Sequence, residues 1–317
     1  MSKTKIEWSD YSWNPLVGCS KISAGCSRCY AAEAAKSARL QQFSQYQKVK
    51  DWDGTIEFVE NQLLKPLSWN SPKKVFVCSM SDIFHANVKD EWLDRIFAVM
   101  ALASQHTFQI LTKRPERLRP YLQQGAKQRI RRGAVDLGRS LNLTPERYEP
   151  YETCEFDWPL SNIWLGTSTE NQKAADDRIP SLLQIPASVR FLSCEPLLES
   201  IDLRKYLGIC SGCQSCEFQG GHRIGLSRLN LVIVGGESGT GARPCNIDSI
   251  RSLVQQCQQS ETAVFVKQLG SNPIMTACYI DGVAATHQKL KLADRKGGDI
   301  NEFPEDLQVR EFPQYFS

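Results

Sequence analysis

The sequence predicts an α/β fold on a parallel sheet, closed into a partial or near-complete (β/α) barrel. Two observations carry that expectation. Seven short apolar runs, rich in β-branched and aromatic residues, recur along the chain with good helix formers between them. Each run also breaks into polar or small residues at its C-terminal end, the edge where parallel sheets and barrels bind ligands.

The runs are Trp13–Cys19, Lys74–Ser79, Phe108–Thr112, Ile163–Thr167, Arg190–Cys194, Leu231–Val234 and Ala263–Lys267. Nearly continuous apolar character over so few residues fits strands covered on both faces. Glu91–Ser104 and Asp248–Gln259 read as helices. The strand ends supply Ser79 and Asp82, then Lys113 and Arg114, then Ser168, Glu195, Gly235-Gly236-Glu237 and Lys267. Strand–helix loops need turn and cap residues in any case. Glu195 and Glu237, directly after apolar strands, favour a polar ligand instead. Three segments interrupt the rhythm: a mostly helical one at about 30–71, one at 115–161 and a cysteine-rich one at about 197–229. A single barrel-like domain over 1–293 is expected, followed by an irregular extension over 294–317.

The chain has 317 residues, 41% hydrophobic and 23% charged, which fits a globular protein with a sizeable core. A net charge of +3 excludes a polycation, so any nucleic-acid contact must come from a local basic surface. No apolar run reaches the roughly 18 residues of a membrane span. Met1–Asp10 is polar and lacks the apolar core of a signal peptide, so a cytoplasmic protein is expected. Twelve cysteines in such a compartment read as metal or cluster ligands rather than disulfides.

Cys19, Cys26 and Cys29 form C-x6-C-x2-C after the first apolar run and before an Ala-rich helix. Three thiolates on one loop can hold three irons of a [4Fe–4S] cluster and leave the fourth open. An open iron can chelate S-adenosylmethionine (SAM), whose sulfonium then accepts an electron and breaks to a 5′-deoxyadenosyl radical. Gly18 and Gly25 let the backbone wrap closely, and Tyr30 can shield the cluster or lie near an adenine. Tetrahedral zinc and inert buried thiols are the alternatives.

A second group, Cys210, Cys213 and Cys216, follows C-x2-C-x2-C, with Gly220 where a ferredoxin run has its fourth cysteine. His222 makes zinc equally suitable, so zinc and an auxiliary cluster both stand. Cys78, Cys154, Cys194, Cys245, Cys257 and Cys278 are dispersed. Cys78 and Cys194, at strand ends, are candidate hydrogen-atom donors, although a small buried residue is the simpler reading.

The stretches KIEWSDYSWNPLVGCSKISAGCSRCYA, VFVCSMSDIFH, HTFQILTKRPER, IWLGTSTENQ, VRFLSCEPLL, LVIVGGESGTGARP, VFVKQLG and DRKGGDINEFPEDLQVREFP together resemble the phage-derived Gp thirty-seven/Gp sixty-eight proteins, a family grouped with radical SAM enzymes. The resemblance runs over nearly the whole chain and implies the same barrel and cofactor. Two features depart from the usual radical SAM pattern. The common spacing is C-x3-C-x2-C, so the longer first gap here alters the loop's path and not its ligand count. The Gly-Gly-Glu triplet that often follows the second strand follows a late strand here, at Gly235-Gly236-Glu237, and the second strand ends in Ser79, Ser81 and Asp82 instead.

Two functions follow. The first is a radical SAM enzyme with Tyr30, Ser79, Asp82, Ser168, Glu195, Gly235, Gly236 and Glu237 around SAM or substrate. Lys113, Arg114 and Lys267 are its candidate anchors for anionic groups, and flavodoxin or ferredoxin its electron donor. Its substrate is a nucleic acid or nucleotide by association with phage origin alone, and no catalytic residue is singled out. The second is a non-enzymatic cluster or zinc protein that binds nucleic acid through the basic run Lys127–Arg132.

Overall fold

Six of the seven predicted runs form parallel strands where expected, and the first one breaks in two. In this computed structural model, residues 4, 6–210, 222–223, 229–280 and 283–313 are described. The break has a local cause. The chain forms β1 (Tyr11–Trp13), is interrupted at Asn14-Pro15, and resumes as β2 (Leu16–Val17). Pro15 has no N–H to give a ladder. Asn14 turns its side chain outward from the run, and its Oδ1 accepts from Met80 N at 3.0 Å and Ser79 Oγ at 3.2 Å. Free of the parallel ladder, β2 pairs antiparallel with β3 (Glu57–Phe58).

The chain divides into two compact units, residues 1–167 with 184–189, and 168–183 with 190–317. In the first, β1, β4 (Lys74–Val77), β5 (Thr107–Thr112) and β6 (Ile163–Ser168) pair parallel in that order, with Trp13 opposite Val77, Val77 opposite Ile110 and Ile110 opposite Leu165. Between β4 and β5 lies α4 (Asp90–Leu102). Asp90 and Glu91 occupy its positive N-terminal turn. Leu93, Ile96, Phe97 and Met100, at helical spacing, bury the face it presents to the core. The segment 30–71 holds β3 and the short helices α1 (Tyr30–Ala35), α2 (Ser44–Lys48) and α3 (Glu60–Leu63), and 115–161 holds α5 (Pro115–Gln123), α6 (Ala126–Ser140) and α7 (Glu149–Glu152).

In the second unit, β7 (Val189–Cys194), β10 (Leu231–Gly235) and β12 (Ala263–Gln268) pair parallel, with Cys194 opposite Val234 and Val234 opposite Val266. The helices α8 (Gln172–Leu183) and α9 (Ile247–Gln259) flank this part of the chain in sequence. Asn246 caps α9 by accepting from Asp248 N at 2.9 Å. Two elements fall outside the predicted rhythm. The strand β13 (Pro273–Ile280) pairs antiparallel with β14 (Val283–Lys289) and parallel with β11 (Cys245–Asn246). The predicted irregular tail is used as an edge cover: Val266 N donates to Val309 O and Glu311 N to Val264 O, so the tail pairs along β12. A parallel α/β reading thus holds for both units, whose main parallel runs, β1, β4, β5 and β6 and then β7, β10 and β12, comprise seven strands. No helix among those residues is long and apolar enough to cross a membrane.

One buried histidine in the first unit makes its stability depend on pH. His106 is 1% exposed, with its ring edge-on to Trp69 and Phe108 and its Nε2 3.1 Å from Pro66 O. Burial, then Lys73 and Arg147, hold its pKa below the usual value, against the Pro66 contact. The unfolded chain therefore takes up the proton first as pH falls through about 6.5, and stability is lost below that pH. Thermal melts from pH 7.5 to 5 should show a falling midpoint, and His106→Gln should make the fall shallower. An identical slope in that variant would remove His106 from the account.

Candidate functional site

The three-cysteine loop is anchored before its first thiol. Gly18 has φ +96°, a conformation that favours glycine, and an added Cβ would lie 2.1 Å from Thr55 O. Gly18 N donates to Met80 O at 3.0 Å, and Ser81 Oγ donates to Gly18 O at 2.6 Å. Gly18 and Ser81 also form an isolated parallel bridge, so the loop leaves the protein at the C-terminal end of β4. Cys26 closes a short 3-10 turn, and Cys29 immediately precedes α1. Ala31, Ala32 and Ala35 of that helix are buried, and their small side chains let it settle on Val17, Tyr46, Val49, Trp52, Val59 and Met80. Cys19 and Cys29 pack on the same apolar cluster. Cys19, Cys26 and Cys29 are all half-buried free thiols.

A buried cation joins this loop to the ends of β4 and β5. Arg114 Nη1 donates to Asp82 Oδ2 at 2.9 Å and lies 3.7 Å from Cys19 Sγ. Its Nη2 donates to Ser20 O at 3.1 Å and Ser20 Oγ at 3.2 Å. Ser20 Oγ is 2.8 Å from His85 Nε2, while Asn87 N donates to His85 Nδ1 at 3.2 Å. Nδ1 is therefore the acceptor and Nε2 carries the proton. Burial and the Arg114 charge hold His85 below its ordinary pKa, which keeps it neutral. Burial, with Asp82 adding to it, pushes the Cys19 thiol up to about 11, and Arg114 opposes the rise.

Asp82, predicted as a cofactor contact, also fastens two strand ends together. Its Oδ1 accepts from Phe84 N and Thr112 Oγ1, and its Oδ2 from Lys113 N and Arg114. Both oxygens are thus engaged by the protein, and Asp82 pins the end of β5 to the end of β4. Arg114, read as an anchor for anionic groups, is 7% exposed and spends its guanidinium on Asp82, Ser20 and Cys19. Ser79 donates to Asn14, and its carbonyl accepts from the Tyr30 hydroxyl at 2.7 Å. Tyr30 is 61% exposed and directly follows Cys29 in the chain. The sequence reading missed Ser20, His85 and the contact of Arg114 with Cys19. A faint signal existed: Asp82 and Arg114 end neighbouring strands with opposite charge.

The second unit carries the other predicted contacts at its own strand ends, and each carboxylate there has a cation. Glu195 Oε1 accepts from Lys267 Nζ at 2.6 Å and Gln268 Nε2 at 3.1 Å. Gln268 Nε2 also donates to Gly236 O at 2.7 Å. Glu237 accepts from Arg243 N, Nε and Nη2 at 2.9, 3.1 and 2.7 Å. Ser168 is buried, and its carbonyl accepts from Arg178, which pairs with Glu170. Gly235 and Gly236 allow close backbone packing, since a Cβ on Gly236 would lie 2.3 Å from Leu269 O. Cys78 and Cys194 are buried, with thiols pushed up by burial, Cys194 to about 12.

Cys213 and Cys216 lie outside the described residues. Cys210 and His222 stand opposite each other in the antiparallel register of the short strands β8 (Ile209–Cys210) and β9 (His222–Arg223). The basic run on α6 largely serves its own unit. Arg129 bonds Asp94 and Gln124 O, Arg131 bonds Tyr151 O, and Lys127 sits over Phe156. Lys127 and Arg132 of this run are both exposed.

Among the described residues no group of three or more His, Cys, Asp or Glu side chains is gathered as a metal site. The donor set at the loop nevertheless fits an iron–sulfur cluster. Three soft thiols lie on one anchored loop, two of them on an apolar floor, and a guanidinium lies near one sulfur. The chain belongs to the family described as "Protein of unknown function (DUF5131)", whose model matches residues 3–304. No curated protein and no solved structure matches it.

Proposed function

We propose that this DUF5131 protein is a radical SAM enzyme whose [4Fe–4S] cluster is held by Cys19, Cys26 and Cys29. The observation that carries the reading is the anchored loop: three free thiols leave one glycine bridge at a strand's C-terminal end, and a buried cation meets the first of them. The extended resemblance of the sequence to phage-derived proteins grouped with radical SAM enzymes supports it. When bound, such a cluster supplies one electron to the sulfonium of SAM, which breaks into methionine and a 5′-deoxyadenosyl radical.

The protein's own residues prepare that chemistry. The apolar cluster beneath Cys19 and Cys29 keeps water from one side of the loop. Arg114 offsets thiolate charge that would otherwise gather at a buried position. Tyr30, next to Cys29 in the chain, is tethered by its hydroxyl to Ser79 O and is a proposed contact for SAM. In the second unit, Ser168, Glu195, Gly235, Gly236 and Glu237 are proposed contacts for SAM or substrate, and Lys267 a partner for an anionic group. A low-potential donor of the flavodoxin or ferredoxin type is the proposed electron source, and a nucleic acid or nucleotide the proposed substrate class. Cys210, Cys213, Cys216 and His222 are proposed to hold zinc or an auxiliary cluster.

The test is anaerobic reconstitution with iron and sulfide, followed by SAM and a strong reductant. Slow release of 5′-deoxyadenosine and methionine in equal amounts is expected even without substrate. A fully loaded cluster that binds no SAM by calorimetry ends this reading and leaves a structural or redox-sensing cluster.

A further inference from the structure

We infer that Arg114 is a positioning residue that tunes the reduction potential of the proposed cluster through an N–H···S hydrogen bond to Cys19. The inference rests on the cluster proposed above, and it adds a property of the site that three ligands alone do not specify. The argument begins with the guanidinium's hydrogens. Arg114 Nη1 serves Asp82 Oδ2 and Cys19 Sγ, and Nη2 serves Ser20 O and Ser20 Oγ. The four terminal N–H bonds thus have four acceptors, and one of them is the sulfur. The planar fork is fixed on both sides. Asp82 holds one edge and is itself held by Phe84 N, Thr112 and Lys113 N. Ser20 holds the other edge and is backed by His85. Arg114 N in turn donates to Thr112 Oγ1 at 2.9 Å, which ties the base of the side chain to the same network.

Such a donor acts on a cluster in a definite direction. Reduction adds negative charge that spreads onto the thiolate sulfurs. A cationic N–H aimed at one of them stabilises the reduced form more than the oxidised form and raises the potential. Burial strengthens the effect, because Arg114 and Asp82 side chains are each only 9% exposed. Lysine cannot replace the fork, since one ammonium on a flexible stem does not span a carboxylate, a carbonyl and a sulfur in one plane.

The test compares midpoint potentials of reconstituted wild type and Arg114→Lys by redox titration followed with electron paramagnetic resonance. Thermal melts and iron content establish that the variant is folded and loaded. A shift to more negative potential with a changed resonance signal is expected, while Arg117→Lys leaves both unaltered. Arg117 is a cation three residues on whose partners are His85 O, Val88 O and Asp90. Should Arg114→Lys not fold, Arg114→Gln combined with Asp82→Asn keeps the pair's net charge at zero and removes the contact, and the same negative shift is expected. A loaded variant with an unchanged potential overturns this inference alone. A wild-type protein that takes up no cluster overturns the proposed function and this inference together.

Discussion

Replacing Cys19, Cys26 and Cys29 together by alanine is expected to abolish iron and sulfide uptake at the loop and reduce SAM cleavage to the background rate. The protein should remain folded, because all three thiols are half-buried and lie on a loop rather than in a strand. The wild type should take up about four irons per chain at this site, and the variant none there. Metal analysis of the folded variant then isolates the second group. Zinc or iron that persists is assigned to Cys210, Cys213, Cys216 and His222, and a folded variant free of any metal removes that assignment. If the triple variant keeps a full complement of iron and sulfide, the loop is not the cluster site.

The second large effect is expected from Gly18→Ala. Two costs add. An alanine at φ +96° is strained by about 1–3 kcal/mol. The new Cβ also meets Thr55 O at 2.1 Å and Val49 Cγ1 at 2.8 Å, and overpacking of that kind typically costs about 1–3 kcal/mol. Chemical denaturation should therefore show a loss of at least about 2 kcal/mol. Because the residue before Cys19 must move to relieve the overlap, iron uptake should fall as well. A Gly239→Ala control separates the two causes. Gly239 also has positive φ, +104°, but no neighbour within 4 Å of an added Cβ, so it should lose only the strain part and keep its iron. Equal losses in the two variants would mean that the close approach to Thr55 is unimportant.

The contrast between what the sequence revealed and what it hid follows from the range of the interactions. Six parallel strands were legible because burial on both faces leaves a continuous apolar run, a local signal. The split of the first run was also legible in principle: Pro15 carries no N–H, and a proline in a would-be ladder argues for a break. The tail along β12 gave no warning, since it pairs through a few backbone groups without side-chain periodicity. Asp82 shows a deeper ambiguity. A carboxylate at a strand's end has the same local signature whether it awaits a ligand or fastens the next loop. Its four donors, two of them from the residues after β5, show the fastening role, which no local pattern reveals. Arg114 and Cys19 are 95 residues apart, and no spacing rule links them.

The division of the chain also bears on how the protein is made. Residues 184–189 belong with the first unit although the helix 172–183 before them belongs with the second. Ile185 is fully buried, and Ser188 Oγ lies 3.1 Å from Leu160 O. During synthesis, then, the first unit is still lacking a piece when Thr167 leaves the ribosome. At about 5–20 residues per second, the missing segment follows roughly one to four seconds later. Throughout that interval the apolar surface due to receive Ile185 has no native cover, and a nascent-chain chaperone has a defined interval in which to act.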